Sequence, residues 1–437
     1  MAVPTTQVFI GFDLSASGDY YFTLDDPIKG ALNSDFVLGG GDILVDVTQY
    51  VESVSISRGK SRELDRFAAG SARVVLHNDT RIFDPFYAAG PYYRQILPRK
   101  QVVIKSNGVT QYTGFIDDWD LSYQLGNKSY ASISCVDAFL QLSAKQLTGF
   151  TNSVQFSGQR VESILNRPEV AWSTFARNVS TGKQSLQADT VEAGTNVLQY
   201  LQDVETTESG ALFINKSGAV TFKDRTSNIP PATDTLIFAD DGRAQSVPYT
   251  QIQVIYGSEL LHNRIILTRE GGTPQTAEDL ESQETFGIQS LTIDGLLTDN
   301  DTNVRTLAGY LANIYSKPEL RFANLTVTLH DKSVSDQLEL LGVEINDVLR
   351  IVFKPNGIGS AIDDYGLVTG IQHDVTTDSH YVTFEFGYAQ DLPIILNHPT
   401  YGRLGGSFPV YDDAATTYDD PDVKYDGTVQ FGYVLAF

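Results

Sequence analysis

Apolar and polar residues alternate with a period of two along much of this chain. The clearest run is Tyr130-Ala131-Ser132-Ile133-Ser134-Cys135-Val136, and Tyr381-Val382-Thr383-Phe384-Glu385-Phe386 repeats its rhythm near the other end. Successive strand side chains point to opposite faces, so such runs predict half-buried antiparallel strands. Each run closes a longer unit. The first, from Ile96 to Asp137, holds Val102-Val103-Ile104, a turn at Asn107-Gly108, then Tyr112-Thr113-Gly114-Phe115-Ile116 and the alternating strand. The second holds Val348-Leu349-Arg350-Ile351-Val352, Asn356-Gly357, Val368-Thr369-Gly370-Ile371 and its own alternating strand. The order matches element by element. It predicts two similar small β-barrels in one chain, with chance likeness between β-meanders as the plain alternative.

Between the two copies the period changes. Val161, Ile164 and Leu165 predict a short helix stopped by Pro168, and Val197, Leu198, Leu201 and Val204 a longer one. Ala211–Ile214 and Ala219–Phe222 flank the turn Asn215-Lys216-Ser217-Gly218 and read as a hairpin. Asp137 is placed to cap a helix over 138–145. Thr298 or Asp299 is placed to cap one with Val304, Leu307, Ala308, Leu311, Ile314 and Tyr315 on a single stripe, ended by Pro318. The fold class expected is mainly β with an α+β insertion and extended terminal arms. Its divisions are an N-terminal arm or strands at 1–40, a first β-barrel at 41–148, and a small α+β domain at 149–235 with Ile229-Pro230-Pro231 as its exit. Strands and loops at 236–300 link or complete the barrels. A helix and the second β-barrel follow at 301–392, and an arm at 393–437. That arm repeats an aromatic–acid pair at Tyr411-Asp412, Tyr418-Asp419 and Tyr425-Asp426, then ends on the strand-like Val429–Leu435. It reads as a segment ordered against a partner.

Charge adds a contrast. The net charge is −23, which argues against wrapping nucleic acid, because that affinity comes from clustered Lys and Arg. An acidic surface serves solubility, or lets DNA slide past without sticking. Against this background stand Arg58, Lys60, Arg62, Arg66, Arg73, Arg81, Arg94, Arg99, Lys100 and Lys105, opposed locally by Glu63, Asp65, Asp79 and Asp84. Two fates are open: contact with an acidic neighbouring subunit, or pairing with the chain's own carboxylates. For the first, Arg58, Lys60, Arg62, Arg66, Arg99 and Lys100 are the candidate interface residues. Cys135 is the single cysteine, which leaves no intrachain disulfide framework, and its place beside Ile133 predicts a packed core thiol. No apolar run is long enough to span a membrane, and the start of the sequence lacks the pattern of a secretory signal.

The search for chemistry assigns no catalytic residue, cofactor or metal ligand. The histidines form no HExxH pair or His–Cys cluster, and GxSxG, Walker and strand-following GxGxxG motifs are missing. Asp299-Asn300-Asp301-Thr302-Asn303 has the alternating oxygens of a calcium loop. Val304 and Tyr310, however, stand where such a loop needs Gly and Glu, so helix capping explains it better. Asp412-Asp413 and Asp419-Asp420 suit either calcium or a solvated arm. Asp117-Asp118-Trp119-Asp120 joins acids to an aromatic as sugar sites do, and reads as a strand end and loop.

The run Val54-Ser55-Ile56-Ser57-Arg58-Gly59-Lys60-Ser61-Arg62-Glu63-Leu64-Asp65-Arg66, with Ala69–Asn78, Arg81-Ile82-Phe83-Asp84-Pro85, Pro91-Tyr92-Tyr93 and Leu97-Pro98-Arg99, resembles minor tail proteins of long-tailed, non-contractile phages of actinobacteria and relatives. More distantly it resembles the baseplate hub family of contractile tails, as do Glu284-Thr285-Phe286-Gly287-Ile288, the capped helix and the second barrel. The likeness spans residues 20–390. It implies barrels like the tail-tube subunit, two per chain, so that a homotrimer presents six similar units and joins a sixfold tube to a threefold tip. The partners implied are the tail tube or distal tail protein, the tape-measure protein, and other tip or receptor-binding proteins. DNA would pass through the channel without specific binding. The implied location is the virion tail tip, with assembly in the host cytoplasm. Larger hub relatives carry a peptidase or lysozyme domain after this core, whereas this sequence stops soon after the second barrel, which points to a structural role. A carbohydrate- or receptor-binding tail protein is the competing reading, and a cell-wall hydrolase a weaker one.

Overall fold

The computed structural model describes residues 3–12, 25, 27 and 43–389, apart from Ser61, Asn127, Ala232, Thr233, Thr235 and Ala244. Most of the N-terminal arm or strands expected at 1–40 and the whole arm expected at 393–437 lie outside the described residues. The chain is mainly β. Its first elements are β1 (Thr6–Phe12), β2 (Ile43–Asp46), β3 (Val51–Gly59), β4 (Ala68–His77), β5 (Gln101–Ser106), β6 (Val109–Gln124) and β7 (Lys128–Val136). Three helices follow, α1 (Phe139–Ser143), α2 (Ser157–Leu165) and α3 (Val197–Glu208), and then the hairpin β8 (Ala211–Ile214) and β9 (Val220–Lys223). Next come β10 (Ile237–Ala239), β11 (Ser246–Val247), β12 (Gln251–Tyr256), β13 (Arg264–Arg269), β14 (Gln275–Glu278), α4 (Leu280–Phe286), β15 (Ser290–Leu296) and α5 (Asp301–Tyr315). The last are β16 (Leu320–Thr328), α6 (Val334–Gly342), β17 (Val348–Phe353), β18 (Ile362–Thr376) and β19 (His380–Tyr388).

The chain divides into two compact units. One comprises 1–227, 249–346 and 368–387; the other comprises 228–248, 347–367 and the chain from 388. The break after Ser227 falls just ahead of Ile229-Pro230-Pro231. In the first unit, strands run in the order β3-β4-β7-β6-β5-β1-β2. Alternation puts Val54, Ile56, Val74, Leu76, Ile104, Tyr112, Ile116, Ile133 and Cys135 into one core, each large apolar side chain contributing about 1.5–3 kcal/mol on burial. The expected core thiol is there: burial pushes Cys135 up to about 12, which keeps it protonated and inert. β1 is a core strand. It pairs with β5 (Val8↔Ile104) and β2 (Phe9↔Asp46), and Val8, Ile10 and Phe12 are fully buried. β6 runs straight through Asp117-Asp118-Trp119-Asp120, which corrects the strand end and loop expected there. A bulge between Ile116 and Asp118 re-aims the strand. Asp117 and Asp118 are left exposed, while Trp119 packs on Phe83 at 6.2 Å.

The helices follow the stripes read from sequence. Val161, Ile164 and Leu165 of α2 are fully buried, as are Val197, Leu201 and Val204 of α3. The α5 stripe is buried throughout, but its cap is Asn300, whose side chain accepts the Asn303 N–H at 2.9 Å. Thr298 hydrogen-bonds Gln184 and Ser185 instead, and Asp299 accepts from the side-chain amides of Asn300 and Asn303. Asp301 pairs with Arg269 at 2.6 Å. These oxygens of the calcium-like stretch are engaged within the chain.

The second unit is built around β17. β10 lies parallel to it (Ile237↔Arg350), and the first residues of β18 lie antiparallel (Arg350↔Tyr365). Arg350 grips both Asp363 oxygens at 2.8 Å and Asp234 at 3.0 Å, a forked arrangement that fixes the register by charge as well as by ladder bonds. The internal echo survives in three dimensions at its turns. Asn107 and Gly108 have φ of 47° and 80°, and Asn356 and Gly357 have 52° and 71°. Left-handed pairs of this kind favour Asn-Gly, because other side chains clash there. In one copy β5, β6 and β7 all belong to the first unit. In the other, β17 and residues 362–367 of β18 count with the second unit, and residues 368–376 with the first.

Candidate assembly surface

The basic segment splits into an inward and an outward group. On β3 the alternation that buries Val54 and Ile56 also buries Arg58, leaving it 4% exposed. Its Nη1 donates to Glu344 Oε1 at 2.7 Å, and Glu344 Oε2 accepts the Lys216 backbone N–H at 2.9 Å. Lys60 donates to the Glu63 carbonyl at 2.6 Å and lies over the Phe67 ring. Burial lowers its pKa, against the pull of Glu205, Glu63 and Asp65. Glu63 in turn accepts from Arg321 at 2.8 Å and from the Tyr315 hydroxyl at 2.9 Å. Arg58 and Lys60 are therefore held inside the first unit by its own groups.

Arg62, Arg66 and Arg99 are exposed and Lys100 is half-buried. Arg62 meets Glu259 at 3.7 Å and Arg66 meets Asp203 at 2.9 Å, both solvent-facing pairs of the kind worth about 0–1 kcal/mol. Arg99 adopts a left-handed backbone, φ 67°, fixed by its N–H donating to the Ile116 carbonyl. It ends the turn-rich stretch from Asn78, which packs through aromatics. Phe83 is fully buried, Tyr92 stacks on Phe12 at 4.2 Å, and Tyr50 meets Phe83 edge-on at 5.3 Å. Asp84 accepts from Nε and Nη2 of Arg81, the Phe86 N–H and the Tyr123 hydroxyl. Burial works to raise its pKa, but these donors overcome it and hold the carboxyl below its usual value.

Other large side chains in this stretch and at the end of β6 are exposed. Phe86 is 86% exposed and Leu125 fully so, with Tyr93, Leu97 and Tyr123 also open. Arg94 lies over the Tyr93 ring at 5.4 Å, and exposed aromatic and Arg side chains are the residue types that carry energy at protein interfaces. The sequence pointed to the arginines but not to Phe86 or Leu125, because a loop aromatic gives no periodic sign of which way it faces. It also missed His373 and His380, which β18 and β19 bring together at 3.1 Å in the core. Burial, first, and the neighbouring charges hold His373 well below its ordinary value, and burial lowers His380 to about 4. Among the described residues no cluster of three His, Cys, Asp or Glu side chains could hold a metal ion.

No family model matches the chain, and no curated protein sequence does. Solved structures do. The tail protein from Neisseria meningitidis MC58 is 13% identical, with a TM-score of 0.55, covering 80% of this chain and 94% of its own. The 43 kDa tail protein of prophage MuSo2 from Shewanella oneidensis is 13% identical, with a TM-score of 0.52, covering 80% and 95%. The fold is that of phage tail proteins, as the sequence resemblance implied.

Proposed function

We propose that this chain is a structural hub of a phage tail tip. Three copies form a ring with pseudo-sixfold symmetry that joins the tail tube or distal tail ring to the tip, and DNA passes through its channel. The protein turns over no substrate. Its neighbours are the tape-measure protein within, and tip or receptor-binding proteins outside. It resides in the virion after assembly in the host cytoplasm. The observation that carries this reading is the repeated strand–turn–strand–strand order, with matching left-handed Asn-Gly turns, in a chain of tail-protein fold. Two such elements in each of three copies supply six positions for a sixfold partner. The net charge of −23 suits a channel wall that must not bind DNA. Negative-stain imaging with mass photometry of the purified protein tests it: a trimeric ring with an open centre is expected. A protein that remains monomeric alone and with its tail-tube partner overturns it.

A further inference from the structure

We infer that the groove between α2 and the chain at Val179–Thr181 binds a neutral saccharide. The groove lies within the first unit and holds about 380 Å³, inside the range of roughly 300–1,000 Å³ for small-molecule sites. One wall is the polar face of α2. Gln159, Glu162 and Ser163, with Asn166 just past the helix end, follow the helical period opposite the buried Val161, Ile164 and Leu165. The other wall continues from the short strand Arg177–Val179, which pairs in parallel with β9 (Arg177↔Val220). The two walls meet backbone to backbone. The Gly158 N–H donates to the Thr181 carbonyl at 3.0 Å, and a Cβ at Gly158 would stand 1.7 Å from the Ser180 carbonyl oxygen. Only glycine fits there, so main chain sets the floor of the groove before any ligand arrives.

The lining selects the ligand class. Its one charged side chain, Glu162, is neutralised by Arg177 Nη1 at 2.6 Å, which leaves no net charge to draw an ion. Val179 is its one large apolar residue, too little to hold a hydrocarbon. What remains is hydrogen-bonding capacity. Gln159 Oε1 accepts the Phe156 N–H, and Arg177 Nη1 also donates to Asn166 Oδ1 at 3.0 Å. Among the described residues nothing engages the remaining atoms of these side chains, Gln159 Nε2, Glu162 Oε1 and Asn166 Nδ2, or the hydroxyls of Ser163 and Thr181. Ser180 Oγ is buried and likewise without a partner. The two amides donate, the carboxylate accepts and the hydroxyls do either, which is the inventory that reads several hydroxyls at once. On an open helix face such groups would be satisfied by water. Here the opposing wall withdraws Ser180 Oγ from solvent, and a ligand hydroxyl would satisfy what the chain leaves unpaired.

This site does not depend on the proposed ring, and its test does not require one. Saturation-transfer NMR of the full chain with maltose, cellobiose, lactose and chitobiose is expected to give a saturable signal for at least one of them. Q159A combined with N166A should melt like the natural protein and bind that sugar about tenfold more weakly or worse, since two donors are lost. Ser163→Tyr, which gives up no bond within the chain, should fill the groove and abolish binding. No signal from any of the four sugars overturns the inference, as does undiminished binding by both variants. Tighter binding of sialyllactose than of lactose overturns the neutral class. If the bound sugar is maltose, tighter binding of maltohexaose marks a polymer as the source and equal binding a free sugar, and both uphold the site.

Discussion

Arg58 is a charge carried into an apolar interior, and Glu344 is what makes that tolerable. Two of the Arg58 nitrogens, Nε and Nη2, have no partner among the described residues, so most of its compensation comes from one carboxylate at 2.7 Å. Glu344→Gln leaves a buried cation without its counter-charge and is expected to cost roughly 3–5 kcal/mol. Arg58→Met, which removes the charge and keeps the stem, should cost much less. Urea unfolding of both variants checks this, and similar losses would mean that shape, not charge, is what matters at the site. The buried histidines set a pH dependence. His380 takes up a proton near 6.5 when unfolded but only at about 4 when folded. Between those values the unfolded state holds more protons, so this term makes stability fall as pH drops from 6.5 toward 4, by up to about 3 kcal/mol. Burial acts oppositely on Asp137 and Glu205, both raised to about 7. Their contribution is fully present below about pH 4 and is lost as pH rises through 7. H380N should therefore flatten the acid side of the stability curve, and E205Q the approach to neutrality, as read by thermal melts across pH 4–7. None of these partnerships was legible in the sequence, because Arg58 and Glu344 meet only through tertiary structure.

Elements were more legible than their edges. The α5 stripe and the alternating runs of β7 and β19 were readable because burial on one face imposes a period, and a period needs no knowledge of the partner. The α5 cap was misplaced by one or two residues. Thr298, Asp299 and Asn300 are all good caps locally, and the choice fell to Asn300 because Thr298 is claimed by Gln184 and Ser185. Asn300→Ala should then cost about 1 kcal/mol, and Asp299→Ala distinctly less, in the same melts. Equal losses would make the pair a shared cap. The course of β6 through Trp119 was missed for a related reason: three acids among four residues look like a loop until a bulge and a buried Phe83 give the tryptophan somewhere to pack.

At the scale of the assembly, the basic segment offered two fates: contact with an acidic neighbour, or pairing with the chain's own carboxylates. Arg58 and Lys60 are used inside the chain. Among the described residues, Arg62 and Arg66 are held by solvent-facing pairs with Glu259 and Asp203. Such pairs are weak, so R62E with R66E should cost the monomer no more than about 1–2 kcal/mol. If these arginines meet an acidic neighbour in the ring, reversal places like charges together, which penalises the wrong contact by several kcal/mol. The expected outcome is a folded monomer by circular dichroism, with its melt nearly unchanged, that no longer forms trimers in mass photometry. If the proposed ring forms through these charges, its formation should also slow as salt rises, because exposed charges are screened over about 8 Å at physiological ionic strength. F86S with L125S probes these two exposed apolar side chains separately and, if they line the proposed contact, should weaken assembly without altering that salt dependence. A doubly reversed protein that assembles normally at physiological salt would remove Arg62 and Arg66 from the contact and leave the exposed aromatics around Arg99 as the surface to test.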